Sequence, residues 1–323
     1  MELYFAPMEG ITGARYRQAH RACFGGVDRY YLPFLSPTRD HLFTPRELRQ
    51  VSPEVNAGLN AVPQLLTREP ADFLWAARAL GEMGYGEVNL NLGCPSGTVV
   101  AKGKGAGLLA DPPALERLLE GIFSGDLGGV RVSVKTRMGM ADPEEFGPLL
   151  KLLGRFPIAL LIVHPRVRED YYRHPLRRAE FLALLPRLGL PWCWNGGVAD
   201  RESYDQAAAL PGVRGVMVGQ GLLADPALAR KLRGGPPAGR DELRRFHDLL
   251  YRGYLADFGS QRNTVFHMKE VWRYLSRLFD GGEKLFKQIK KAQDAPAYEG
   301  AVDRIFGELP LRDWADWTGP AKL

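Results

Sequence analysis

Eight short apolar runs separated by amphipathic stretches, polar or glycine-rich residues where nearly every run ends, and a glycine–proline break near residue 235 predict an α/β fold. That fold is a (β/α)₈ TIM barrel over residues 1–235, followed by an all-helical C-terminal domain over residues 240–323. The runs are residues 3–8, 30–35, 61–66, 88–92, 130–135, 159–164, 191–195 and 215–219. Near-continuous apolar runs of this length are what strands buried on both faces look like. Between them, residues 71–84, 112–122 and 201–210 place their apolar side chains at helical spacing. Eight such units in roughly 230 residues match the size of the barrel.

A barrel puts its working residues in the loops at the carboxyl ends of its strands. Pro7 and Met8 end the first run, and Gln64 lies near the end of the third. Asn91-Leu92-Gly93-Cys94-Pro95 ends the fourth, Lys135-Thr136-Arg137 the fifth and His164-Pro165-Arg166 the sixth. Asn195-Gly196-Gly197 and Gly219-Gln220-Gly221 end the last two. The break Gly234-Gly235-Pro236-Pro237-Ala238-Gly239 reads as a linker. Beyond it, helices are expected at 241–257, 262–279 and 282–294, with a frayed end after Ala301.

Composition narrows the function classes. The chain has 323 residues, 45% of them hydrophobic and 25% charged, as in an ordinary soluble protein. No stretch has the length of unbroken apolar sequence that a membrane span needs, and the first residues lack a basic-then-apolar secretory pattern. A cytoplasmic monomer is expected, with no membrane partner. Three cysteines without a Cys-x-x-Cys spacing argue against a disulfide framework and a zinc site, so no metal is expected. The net charge of +6 favours a polyanionic partner.

Two glycine loops in consecutive late units suit a phosphate, because glycine lets backbone N–H groups approach an anion closely. A flavin ring needs hydrogen bonds at its pyrimidine end and a cation near N1 and O2. Gln64 offers the amide, Lys135 the cation, and His164 is placed for either role. A lysine at the end of an apolar strand is expensive to bury unless a negative partner meets it, and a structural ion pair is the other way to satisfy it.

Cys23 and Cys193 read as packing thiols. Cys94 differs, because it sits between Gly93 and Pro95 just past a strand. A thiol with an ordinary pKa of about 8.5 is mostly protonated at neutral pH, so it can serve as a general acid. The following loop, 97–109, is glycine-rich and expected to be mobile, with Lys102 and Lys104 facing either solvent or a phosphate backbone.

Between residues 262 and 291 the chain carries eight Lys or Arg and three acids, interleaved with Trp272, Tyr274, Phe279 and Phe286. Cations mixed with rings suit RNA; a charged outer face over an aromatic core is the alternative. A second strip, 166–178, follows strand six with five arginines, Tyr171 and Tyr172.

Taken together, Ala6-Pro7-Met8-Glu9-Gly10, Val62-Pro63-Gln64-Leu65-Leu66, Asn89-Leu90-Asn91-Leu92-Gly93-Cys94-Pro95, Val134-Lys135-Thr136-Arg137-Met138-Gly139, Val163-His164-Pro165-Arg166 and Asn195-Gly196-Gly197 resemble the tRNA-dihydrouridine synthase family. The segment His267-Met268-Lys269-Glu270-Val271-Trp272-Arg273-Tyr274-Leu275 is similar to that of the bacterial type C branch. The resemblance implies an FMN-containing barrel, NADPH as electron donor, tRNA as partner and a D-loop uridine as substrate. It implies FMN contacts from Pro7, Met8, Gln64, Lys135, His164, Asn195, Gly196, Gly197, Gly219 and Gln220, although Gln220 stands where the family usually has arginine. It implies Cys94 as the proton donor to C5 while C6 is reduced. Asn91, Arg137, Arg166, Tyr172, Lys269, Trp272, Arg273 and Arg277 are the expected RNA contacts. Two other readings fit the residues: an FMN barrel acting on a free pyrimidine or other small molecule, and a tRNA-binding protein without catalysis.

Overall fold

The computed structural model describes residues 1–316; residues 317–323, the end of the expected C-terminal domain, lie outside the described residues. Nine strands follow in chain order: β1 (Glu2–Phe5), β2 (Arg29–Tyr31), β3 (Ala61–Val62), β4 (Gln64–Leu65), β5 (Glu87–Leu92), β6 (Arg131–Arg137), β7 (Leu161–His164), β8 (Trp192–Asn195) and β9 (Val213–Val218). They form one sheet in the order β3-β2-β1-β9-β8-β7-β6-β5-β4. The two ends of that order are one expected strand divided at Pro63. Proline cannot donate to a ladder, but the Pro63 carbonyl still accepts from the Asn89 N–H at 2.8 Å. Leu35 bridges Leu65 in parallel, so the circuit closes with the eight staves that the sequence predicts.

Side-chain alternation fills the barrel. On β5, Val88, Leu90 and Leu92 are fully buried, while Asn89 and Asn91 alternate with them. On β6, Ser133, Lys135 and Arg137 alternate with Val132, Val134 and Thr136. Tyr4, Ala6, Tyr31, Val62, Leu160, Ile162, Cys193 and Met217 make an apolar layer. Cys193 is thus a packing thiol, as expected. Gly215 is needed there, since a Cβ would come within 2.8 Å of the Tyr4 ring. The helices Pro70–Glu82, Pro112–Ser124 and Arg201–Ala208 occupy the expected stretches. Asp111 starts the second of them by accepting from the Ala114 N–H at 3.0 Å.

The chain divides into two compact units. One unit holds 1–7, 29–196 and 207–217, and with them the barrel; the other holds 8–28, 197–206 and everything from 218 on. Aromatic packing ties the early segment into the second unit: Tyr16 and Phe24 meet Phe246 edge-on, with ring centroids 5.4 and 5.1 Å apart. Arg15 adds an exposed pair with Asp257. The tail helices are Arg240–Phe258, Gln261–Leu275, Gly282–Lys291 and Ala295–Glu308. The last of these corrects the expected frayed end after Ala301. Asp294 caps the Ala297 N–H at 2.9 Å with Pro296 in the first turn, and Tyr298, Ala301, Val302 and Ile305 bury its inner face.

Candidate active site

Strands β4, β5 and β6 carry a chain of side-chain hydrogen bonds that leads to the turn after β5, and its direction is fixed at that end. The backbone N–H groups of Gly93 and Cys94 donate to Asn91 Oδ1 at 3.0 and 2.9 Å. Only an oxygen can accept them, so Asn91 Nδ2 is the donor to Gln64 Oε1, at 2.7 Å. Gln64 Nε2 must then donate to Asn89 Oδ1 at 2.8 Å, and Asn89 Nδ2 to Ser133 Oγ at 2.9 Å. All four residues are buried. The turn that presents the Cys94 thiol is therefore pinned from inside the barrel, and each amide in the relay has one orientation.

Cys94 itself is half-buried. Its carbonyl accepts from the Ala106 N–H at 3.1 Å. Gly105, at φ +57°, lies so close that a Cβ would sit 3.1 Å from the Cys94 Cβ and carbonyl oxygen. This corrects the expectation of a mobile loop over 97–109. The stretch folds into a turn of helix at Gly97–Val100 and a tighter one at Gly105–Ala110, and Gly105 to Leu109 are buried. Gly105 serves close packing against the Cys94 turn, and Gly107 against the Val100 backbone.

On β6, Lys135 pairs in register with Asn91 of β5. It is half-buried, and its ammonium makes no hydrogen bond or ion pair among the described residues. Burial, with Arg137 nearby, pulls its ammonium down to about 8. Across the next pairing, Arg137 stands opposite His164. Burial, then the charges of Arg137, Lys135 and Arg166, holds His164 well below its ordinary range, so it is neutral at pH 7. Arg166 Nη1 lies 2.8 Å from His164 Nε2. A guanidinium only donates, so Nε2 accepts and the ring proton sits on Nδ1. The Tyr172 ring lies 5.9 Å from His164 and 5.3 Å from the Arg137 guanidinium carbon. Gly196, at φ +113°, passes within 3.0 Å of the His164 ring when measured from an ideal Cβ, an approach that only glycine permits.

The expected contacts fare unequally. Gln64, Asn91, Cys94, Lys135, Arg137, His164, Arg166, Tyr172, Asn195 and Gly196 lie in the barrel unit, with Asn195 Nδ2 donating to the Met217 carbonyl at 2.9 Å. Pro7 is half-buried at the end of the segment that follows β1. Met8, Gly197, Gly219 and Gln220 belong to the second unit, where the Met8 N–H donates to Thr12 Oγ1 at 2.8 Å and Gln220 opens the helix Gln220–Ala224. Arg137 does not reach outward: its N–H groups bond to main-chain carbonyls. Trp272 is a correction. It is fully buried and donates to Tyr298 Oη at 2.9 Å, so it packs the helical core and offers no face to a base. Tyr274 and Phe279 are buried too. Lys269, Arg273 and Arg277 instead line a groove of about 560 Å³ with Phe266, Phe286 and Lys290. The sequence reading missed Asn89 and Ser133 as members of the relay, although both alternate with apolar neighbours and so point inward with Asn91 and Lys135.

A family model described as dihydrouridine synthase (Dus) matches residues 4–300. A tRNA-dihydrouridine(16) synthase of Ralstonia nicotianae is 28% identical over 95% of this chain and 97% of its own. The protein of that name from Escherichia coli K12 is 28% identical over 94% of this chain and 98% of its own. A probable tRNA-dihydrouridine synthase of Staphylococcus epidermidis is 30% identical over 76% of this chain and 75% of its own. Among solved structures, a 2-naphthoyl-CoA reductase in complex with 2-naphthoyl-CoA matches with a TM-score of 0.56 at 13% identity, over 72% of this chain and 50% of that one. The chain spans about half the length of that reductase, and the likeness is one of fold.

Proposed function

The chain belongs to the dihydrouridine synthase family, whose members are flavin-dependent oxidoreductases acting on tRNA, and on that footing we propose that it reduces the C5=C6 bond of a D-loop uridine in tRNA, with FMN as cofactor, NADPH as electron donor and Cys94 as proton donor. One observation carries the reading. A desolvated lysine that has no acidic partner among the described residues stands in register with the asparagine that aims a thiol. A cation so placed fits a ligand that brings negative charge, as the pyrimidine end of a flavin does on reduction. Gln64, with one N–H beyond its bond to Asn89, and neutral His164 fit the same ring edge.

FMN, when bound, supplies the two electrons for the reduction, and NADPH restores them. The remaining work falls to the protein. Asn91 holds the Gly93–Cys94 turn, so the thiol keeps one direction. Cys94 gives its proton to C5 of a uracil that has left the RNA stack. Lys135 keeps its positive charge at pH 7, and Arg166 fixes the His164 tautomer. Pro7, Met8, Asn195, Gly196, Gly197, Gly219 and Gln220 are assigned to FMN by the same family reading. Gly196 and Gly197 carry positive φ, a backbone state compatible with turning successive N–H groups toward an anion. Tyr172, Arg166, Lys269, Arg273 and Arg277 are assigned to tRNA.

The test is direct. Purified protein, NADPH and tRNA lacking dihydrouridine should yield dihydrouridine by mass spectrometry, and mapping should start at position 16, the uridine in the names of the full-length relatives. Flavin-loaded protein that reduces free uracil or uridine but leaves tRNA untouched would favour the small-molecule reading. Protein that binds tRNA but takes up no FMN would favour the binding protein.

A further inference from the structure

Arg137, at the end of β6, is only 1% exposed. Its Nε donates to the Gly93 carbonyl at 2.9 Å, and its Nη1 donates to the carbonyls of Val167 and Tyr171, each at 3.0 Å. A guanidinium grips a phosphate through paired N–H groups, either Nε with Nη2 or Nη1 with Nη2. Each pair has already given one arm to a carbonyl, so no free fork remains. The three bonds instead span two segments. One is the turn whose next residue is Cys94. The other is the 167–172 loop, which ends in Tyr172.

That loop is itself restrained. Asp170 Oδ2 accepts from the Val167 N–H at 3.0 Å and from Arg177 Nε at 2.7 Å, and Oδ1 accepts from Arg177 Nη2 at 2.9 Å. Burial would raise the Asp170 carboxyl, but the bonds from Arg177 and the Val167 N–H win and hold it below its ordinary range, so it stays ionised. Tyr171 sits at φ +47°, a backbone state that a non-glycine residue keeps only when its surroundings impose it.

We propose that Arg137 is a positioning residue, clamping the Gly93–Cys94 turn to the 167–172 loop so that the thiol takes its working direction only when that loop is seated. The proposal rests on the reading of Cys94 as the acid. Asn91 sets the turn from inside the barrel, and Arg137 ties it to a segment 30 and 34 residues further along the chain. Lysine would keep the charge but concentrate its donors at one atom, and one atom cannot bridge both segments.

The test uses the full chain without tRNA, so it reads geometry whether or not the reaction is the one assigned. Alkylation of Cys94 by iodoacetamide is followed by peptide mass spectrometry in wild type, Arg137→Lys, Asp170→Asn and the double variant. Each single change should shift the Cys94 rate by about threefold or more, and the double variant should match Arg137→Lys alone, because both act through one connection. In turnover with tRNA, Arg137→Lys should lower kcat about tenfold or more with KM unchanged, as expected for a misaimed group. The salt dependence of tRNA binding should also stay the same. A raised KM with a salt slope shallower by about one would make Arg137 a phosphate contact and overturn the clamp. Additive alkylation effects, or an Asp170→Asn protein whose Cys94 rate equals wild type, would overturn it as well. If Arg137→Lys does not fold, that last comparison decides alone. Dihydrouridine formation undiminished by Cys94→Ala would remove the acid reading while leaving the alkylation result to judge the connection.

Discussion

The strand ends of the barrel and the 262–291 segment are both rich in cations, and they treat those cations in opposite ways. At the end of β6, Lys135 and Arg137 are desolvated beside the neutral His164 of β7, and Asp170, the buried acid of the neighbouring loop, is paired with Arg177. In the segment, Lys284, Lys287, Lys290 and Lys291 stand in solvent over a core of Trp272, Tyr274 and Phe279. Arg137 is met by main-chain carbonyls, whereas Lys135 has no acid beside it among the described residues and is the cation proposed to meet a negative ligand. A solvated cation implies no more than attraction to a polyanion, screened by salt. The two regions therefore call for different experiments.

The largest contrast comes from removing the thiol. Cys94→Ala should keep FMN and lower dihydrouridine formation by about 100- to 10,000-fold, the range of a lost general acid. Next comes the helical core: Trp272→Ala should cost about 3–5 kcal/mol in chemical denaturation, through a cavity and the loss of one of the two hydrogen bonds at the Tyr298 hydroxyl, which keeps His247. If it weakens tRNA binding at unchanged stability, the placement of that ring in the core is wrong.

Lys135→Met removes the charge proposed to meet the flavin. The bound flavin's reduction potential, by spectroelectrochemistry, should fall by roughly 30–60 mV, about 1.4–2.8 kcal/mol for two electrons. The pH dependence follows from the depressed lysine. Its cation is complete below about 8 and fades above that value, and a negative ligand raises the value at which it fades. The wild-type potential should thus keep its lysine contribution at pH 7 and lose it in the alkaline range, while Lys135→Met lacks that bend. A potential that Lys135→Met leaves unmoved would return the lysine to a structural role.

Asn91→Asp is a finer cut. A carboxylate still accepts the Gly93 and Cys94 N–H groups but cannot donate to Gln64, so the relay breaks at one bond only. A loss of about tenfold in kcat is expected, against a larger loss for Asn91→Ala. The smallest effect belongs to the exposed strip: Lys287→Glu should leave stability within about 0.5 kcal/mol and weaken tRNA binding mainly at low salt.

How far the sequence was legible also divides along these lines. The barrel was readable because its strands are buried on both faces and its polar residues cluster where strands end. The period-two spacing of Asn89, Asn91, Ser133 and Lys135 contained the relay, but only the register of β5 against β6 joins those residues. Three features were misread for one reason: composition does not say what a residue packs against. Gly105 and Gly107 look like mobility and are close contacts. Trp272 looks like a stacking platform and is core. The Asp294–Pro296 start of the last helix is a regular cap signal that the basic stretch before it obscured. Residues 8–28 gave no sign of joining the tail, since Tyr16 and Phe24 meet Phe246 only in the folded chain.

The central claim is that the Cys94 thiol faces the nucleobase. Carbamidomethylation of Cys94 in FMN-loaded protein, with and without tRNA lacking dihydrouridine, tests it most directly, with half-buried Cys23 as the internal reference. Bound tRNA should slow the Cys94 reaction at least about tenfold and leave Cys23 unchanged. Equal Cys94 rates with tRNA saturating would contradict the account.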